Sequence, residues 1–129
     1  MQKVLALAAA GEAALGLVLA VYPPVVVGLL LDAEIAGAGI AVCRVAGIAL
    51  IALGVACWPG SDAGSSPSGA LRAMLCYSLL ATLYLAYLGI GGEWVGSLLW
   101  PAVVVHAILT CLLTRAWLKG QRNHEEQDR

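Results

Sequence analysis

The sequence predicts an all-α integral membrane protein, an antiparallel four-helix bundle with a short interfacial helix after the first span. Three observations predict it. The 129 residues are 61% hydrophobic and only 12% charged, with a mean hydropathy of +0.90. A soluble domain carries roughly 25% charged and about 45–50% apolar residues, so this chain lacks the polar groups to cover a surface in water. Four apolar runs, over about 4–22, 39–58, 70–90 and 94–118, each approach the ~20 residues that a helix needs to cross a bilayer. The charges that exist sit mostly at the chain ends and in the short gaps between those runs.

The first run is apolar from Val4 to Leu31. As one straight helix it would measure roughly 42 Å at about 1.5 Å per residue, against a hydrocarbon core of about 30 Å. Pro23 and Pro24 resolve the excess. Proline removes a backbone donor, clashes with the preceding turn and biases the residue before it away from helix. The first span is therefore expected to end near Tyr22, itself a suitable interfacial anchor, with a short interfacial helix over 25–31. The competing reading is one long kinked helix, which neighbouring helices tolerate. Lys3, then VLALAAA with Ala8-Ala9-Ala10, has the outline of a cleavable signal sequence. Lys3 is the single early positive charge and the apolar character runs well past that site, which favours a retained span.

Residues 32–38 form a short acidic gap before the second run. Between the second and third lies PGSDAGSSPSG, residues 59–69, a linker of glycine, serine and proline. Gly89-Ile90-Gly91-Gly92-Glu93 reads as a tight turn into the fourth run, and residues 119–129 read as a polar, frayed tail. Short connections make successive helices antiparallel neighbours. Orientation follows lysine and arginine: Lys3, Arg72, Arg115, Lys119 and Arg122 flank one side, while Asp32, Glu34 and Glu93 mark the other, with Arg44 near it. Both termini are thus expected in the cytoplasm, and the chain is expected as a multi-pass protein of the bacterial inner membrane.

Lipid tails are as apolar as leucine, so small residues rather than leucines hold spanning helices together. Gly11 and Gly16 lie on the first span; Gly47 and Gly54, seven apart, face one side of the second with Ala46, Ala49 and Ala52 nearby. The second helix is expected to be the closest packed. The small residues are read as packing within the chain rather than as an oligomer face. The third span carries Tyr77, Tyr84 and Tyr87 on one face, with Ser78 and Thr82 beside them. That stripe either lines a polar cavity or a quinone-like ligand site, or consists of two interfacial anchors, Tyr77 and Tyr87, with Tyr84 alone deep.

An ionisable side chain inside a span costs about 2.5–3.5 kcal/mol to insert and is a functional candidate by default. Glu12, Arg44 and His106 qualify. At about 1.5 Å per residue, Glu12 lies roughly 12 Å in from the cytoplasmic side, His106 near the middle, and Arg44 roughly 8 Å in from the opposite side. Glu12 and His106 are expected to pair if the first and fourth helices are neighbours. Arg44 is expected to snorkel outwards and meet Asp32, Glu34 or Glu93. The candidate intramembrane polar site is therefore Glu12, His106, Arg44, Tyr84 and Thr82. Glu12 reads either as a carboxyl hydrogen-bonded inside the bundle or as one that exchanges a proton for a cationic substrate.

Other chemistries find no support. The net charge of −1 and the lack of a basic stripe exclude a nucleic-acid surface. Cys43, Cys57, Cys76 and Cys111 are scattered singly, with no metal or disulfide spacing. His124 lies in the tail and cannot join His106 as a second haem ligand. There is no H-E-x-x-H, G-x-S-x-G or phosphate loop. The chain is read as no enzyme, without metal or cofactor.

Pro23-Pro24 after the first span, then Arg44-Val45-Ala46-Gly47 and Ala52-Leu53-Gly54-Val55 in the second, resemble small four-helix bacterial membrane proteins of the DoxX-like style over about residues 15–58. The resemblance implies fold and location, not activity. Glu12 in the first of four spans is also similar to the small multidrug resistance transporters; the third-span tryptophan and glycine pattern of that family is missing and the 59–69 linker is unlike its short loops. The expected function is a non-catalytic accessory or structural component of the inner membrane; the alternative is a small proton-coupled transporter using Glu12. The expected partners are the lipid bilayer and either a second copy of the chain or a larger membrane complex.

Overall fold

A computed structural model describes residues 2–58 and 67–127. Among these residues the chain forms five helices and no strand: α1 (Gln2–Val21), α2 (Pro23–Leu31), α3 (Ala38–Ala56), α4 (Pro67–Gly91) and α5 (Leu99–Gln127). Four of them, all but α2, contain segments long and apolar enough to cross a membrane. Their outer faces carry large aliphatic side chains in the open, such as Leu7, Val42, Ile48, Leu83 and Ile90. An apolar surface this continuous is foreign to soluble monomers and is what hydrocarbon solvates, so the chain is a multi-pass membrane protein.

The double proline breaks the first apolar run. Tyr22 leaves helical geometry at φ −137°, and α2 starts at once with Pro23 in its first turn, where a missing N–H costs nothing. The expected short helix is therefore two residues longer at its start than 25–31. Asp32 ends α2 in the left-handed region at φ 52°, its N–H donating to the Gly28 carbonyl at 3.0 Å.

The helices associate as two close pairs. In the first, α1 packs on α3 backbone to backbone. A Cβ built on Gly47 would lie 2.6 Å from both Ala20 N and Gly16 O, and one on Gly54 would lie 2.6 Å from Ala9 O. No side chain larger than glycine fits there, which is why Gly47 and Gly54 lie on this face, while Ala46, Ala49 and Ala52 are exposed. Gly47 meets Gly16 and Ala20 while Gly54 meets Ala9 and Ala13, so the two helices run in opposite directions. In the second pair, α4 packs on α5: Gly89 lies against Leu99 and Trp100, and Tyr77 lies against His106. This pair is antiparallel too.

The pairs meet in a buried cluster of Leu5, Ala8, Ala9, Cys57, Leu71, Met74 and Leu113. The Cys57 thiol donates to the Ala70 carbonyl at 3.4 Å, stitching the end of α3 to the start of α4. Most of the expected linker, residues 59–66, lies outside the described residues; positions 67–69 are helical, so α4 starts earlier than position 70.

Two further boundaries differ from expectation. The fourth span starts at Leu99, not at 94, because residues 92–98 are used elsewhere. Gly92 turns the chain at φ +75°, and the Gly96 and Leu98 N–H groups donate to the Leu30 and Leu29 carbonyls at 3.0 and 2.8 Å. The last carbonyls of a helix have no partner of their own; this loop supplies two. Gly96 is obligatory at the contact, since a Cβ would overlap the Leu29 carbonyl. At the other end, α5 continues through the expected frayed tail to Gln127. Helix-favouring Gln, Arg and Glu dominate that stretch, and no proline interrupts it.

Candidate functional site

Three buried stripes converge on one layer. On α1 the buried residues are Leu5, Ala8, Ala9, Glu12 and Gly16, spaced by three and four. On α5 they are Leu99, His106 and Leu113, spaced by seven, and on α4 they are Leu71, Met74 and Ser78. Spacings of three, four and seven keep a side chain on one helical face. The apolar members of each stripe pack, which forces the polar member at the same position of the pattern inward.

The layer holds Glu12 and His106, with Tyr77 against the imidazole and Ser78 buried next to Tyr77 along α4. Glu12 is 4% exposed and His106 7%. Glu12 Oε1 lies 3.4 Å from His106 Nε2. That is longer than an ordinary N–H···O bond of about 2.7–3.2 Å, and Glu12 Oε2, His106 Nε2 and Ser78 Oγ have no hydrogen-bond partner among the described residues. The Tyr77 ring stands edge-on to the His106 imidazole with centroids 6.0 Å apart.

The second imidazole nitrogen fixes the proton inventory. His106 Nδ1 lies 2.8 Å from the Ala102 carbonyl. A carbonyl only accepts, so Nδ1 carries a hydrogen. Nε2 is then either a bare acceptor facing a protonated carboxyl, or a donor facing a carboxylate. Both forms hold one proton between the two groups and both are neutral overall. Adding or removing a proton would leave a net charge in a medium where an unpaired ion is expensive. The pair is thus a neutral unit that links α1 to α5 and can both donate and accept.

The other candidates lie elsewhere. Arg44 is exposed on α3, and among the described residues it forms no ion pair with Asp32, Glu34 or Glu93. Thr82 is satisfied within its own helix, donating to the Ser78 carbonyl at 2.7 Å. Thr110 and Thr114 do the same to His106 and Thr110 at 2.8 and 2.7 Å, a habit of helical threonines. Tyr84 is 63% exposed, so it is not turned inward. The inward tyrosine is Tyr77, which the sequence left open between the lining of a polar cavity and an interfacial anchor. Its signals in the sequence are its place on the tyrosine stripe and beside Ser78. No group of three or more His, Cys, Asp or Glu side chains among the described residues is arranged to hold a metal.

Beside the polar layer lies an open cleft of about 760 Å³, walled by α1 and α2 on one side and α4 and α5 on the other. Tyr77 and His106 reach it at one end; Leu29 and Leu98 line it towards the other, and Leu19, Ala81 and Val105 between.

Compared with known proteins, the chain matches no protein-family model, no curated protein and no solved structure.

Proposed function

We propose that this chain is a non-catalytic accessory or structural component of a bacterial inner membrane, an up-down-up-down bundle with both termini in the cytoplasm. The alternating direction of the packed helices and the short connections at 32–37 and 92–98 support that topology. The nine residues of α2 measure about 14 Å at about 1.5 Å each, too short to span, which supports a helix lying at the interface with exposed Tyr22 as its anchor. The observation that carries the functional reading is the use to which the polar interior is put. Its carboxyl and imidazole face each other across α1 and α5 and join the two helix pairs, and the adjoining cleft is walled by aliphatic side chains. Beyond this pair on α5, the Thr110 and Thr114 hydroxyls are spent on carbonyls of their own helix.

Native mass spectrometry from a mild detergent tests the reading. The chain should leave the membrane in a complex of fixed stoichiometry, either with a larger membrane protein or with copies of itself. Uptake of a cation into liposomes by the purified chain, coupled to protons and lost in Glu12→Gln with folding intact, would replace this reading by the transporter alternative. Glu12 Oε2, without a hydrogen-bond partner among the described residues, is the observation that favours that alternative.

A further inference from the structure

The cleft and the polar layer adjoin, and together they have the form of a site. One end presents hydrogen-bonding groups that are not fully satisfied among the described residues: Glu12 Oε2 has no partner, His106 Nε2 meets Glu12 Oε1 only at a long 3.4 Å, and both side chains are more than nine-tenths buried. Leaving a buried polar atom unpaired is costly, and a ligand that pairs it recovers that cost. The rest of the wall is apolar. From Tyr77 to Leu85, the residues of α4 that line it, the cleft runs about 12 Å at about 1.5 Å per residue. Its volume of about 760 Å³ falls within the roughly 300–1,000 Å³ of small-molecule sites. Leu80, Tyr84 and Val105 line it and are more than half exposed, so it opens sideways to lipid.

These features define the occupant. Its head must be small, because only Tyr77 and His106 bring polar groups to that end of an otherwise apolar wall, and uncharged, because the Glu12–His106 unit is neutral and sits inside a span, where an unpaired charge is expensive. It must carry an oxygen that donates and accepts, to match a pair that does both. Its tail must be apolar. A phospholipid fails on the first two counts, since its charged head stays at the membrane surface and only its acyl chains reach this depth. We propose that the cleft binds a neutral single-chain lipid whose hydroxyl-bearing head hydrogen-bonds Glu12 and His106, with Tyr77 beside it, and whose apolar tail lies along α2 and α4. A quinol and a long-chain isoprenoid alcohol share that chemistry.

The test uses the full chain in nanodiscs, titrated separately with farnesol, decylubiquinol, palmitate and decane, with binding read by native mass spectrometry and thermal shift. Farnesol or decylubiquinol should bind with 1:1 stoichiometry, and the tighter of the two names the source. Palmitate, charged at neutral pH, and decane, without a head, should bind at least tenfold more weakly. Ala81→Trp fills the cleft without touching the polar pair and should weaken binding at least tenfold. Val105→Trp does the same from α5 at a position 53% exposed, and serves if Ala81→Trp fails to fold. Decane binding as tightly as farnesol would overturn the proposal, because the head would then go unread. So would exclusive retention of phospholipid, or a homodimer that dissociates in the tryptophan variants, because the cleft would then be covered by bulk lipid or by a second copy.

Discussion

Gly47→Ala is the smallest change that tests how the first helix pair is held. The added methyl would sit 2.6 Å from Ala20 N and Gly16 O, whereas ordinary contact begins near 3.4 Å. Both obstacles are backbone, so neither swings aside, and α1 and α3 must separate by about 0.8 Å. A radial gap of about 0.5–1 Å forfeits roughly a quarter to a half of each dispersion contact along the seam. Overpacking of this kind costs about 1–3 kcal/mol, and the better helix propensity of alanine returns up to about 1 kcal/mol. The net expectation is a loss of about 1–2 kcal/mol. Gly11→Ala is the control, because a Cβ there meets nothing within 4 Å; it should leave stability unchanged or raise it by up to about 1 kcal/mol. Equilibrium unfolding in mixed micelles, titrated with SDS and followed by circular dichroism, measures both. Equal stability of the two variants would refute the claim that backbone contact at Gly47 holds α1 to α3.

Other consequences follow from the same packing. Gly96→Ala should displace the 92–98 loop from α2 and leave the Leu29 and Leu30 carbonyls unpaired, a loss of about 2 kcal/mol, seen as faster hydrogen exchange at the Gly96 and Leu98 amides. Ser78→Ala removes a buried hydroxyl that has no partner among the described residues, so it should be neutral or stabilising by about 1 kcal/mol in thermal melts of ligand-free protein; a clear loss would mean that the hydroxyl is bonded. A reporter fused after the C-terminus that is active only in the cytoplasm should be active, and one active only outside it should be silent; the reverse pattern would invert the topology.

What the sequence makes legible depends on contrast. The four apolar runs stand out because charges and glycines interrupt them, and Pro23-Pro24 marks the break after α1 because proline acts locally. Gly47 and Gly54 announce a packed face because, in a membrane, small residues drive helix association. Equal depth for Glu12 and His106 follows from counting residues, but their 3.4 Å approach requires α1 beside α5, which no local pattern encodes. The faces of α4 are illegible for a related reason. When a helix is apolar all round, periodicity stops distinguishing inside from outside, so Tyr77 and Tyr84 are equally plausible inward residues until the packing is seen. The start of α5 is set by tertiary bonds from the 92–98 loop to α2, and the sequence of that loop alone contains no sign of its partner.

The neutral Glu12–His106 unit at the base of the cleft is the polar contact that joins the helix pairs. A double-mutant cycle with Glu12→Leu and His106→Leu measures it, because each substitution removes one polar partner while keeping volume in the core. Either single variant leaves the other buried polar group stranded; the double variant strands neither. The double variant should therefore cost less than the sum of the singles by roughly 0.6–1.7 kcal/mol, the scale of hydrogen-bond coupling measured inside membranes. Additivity to within about 0.3 kcal/mol would mean that the two groups do not interact, and would contradict the account.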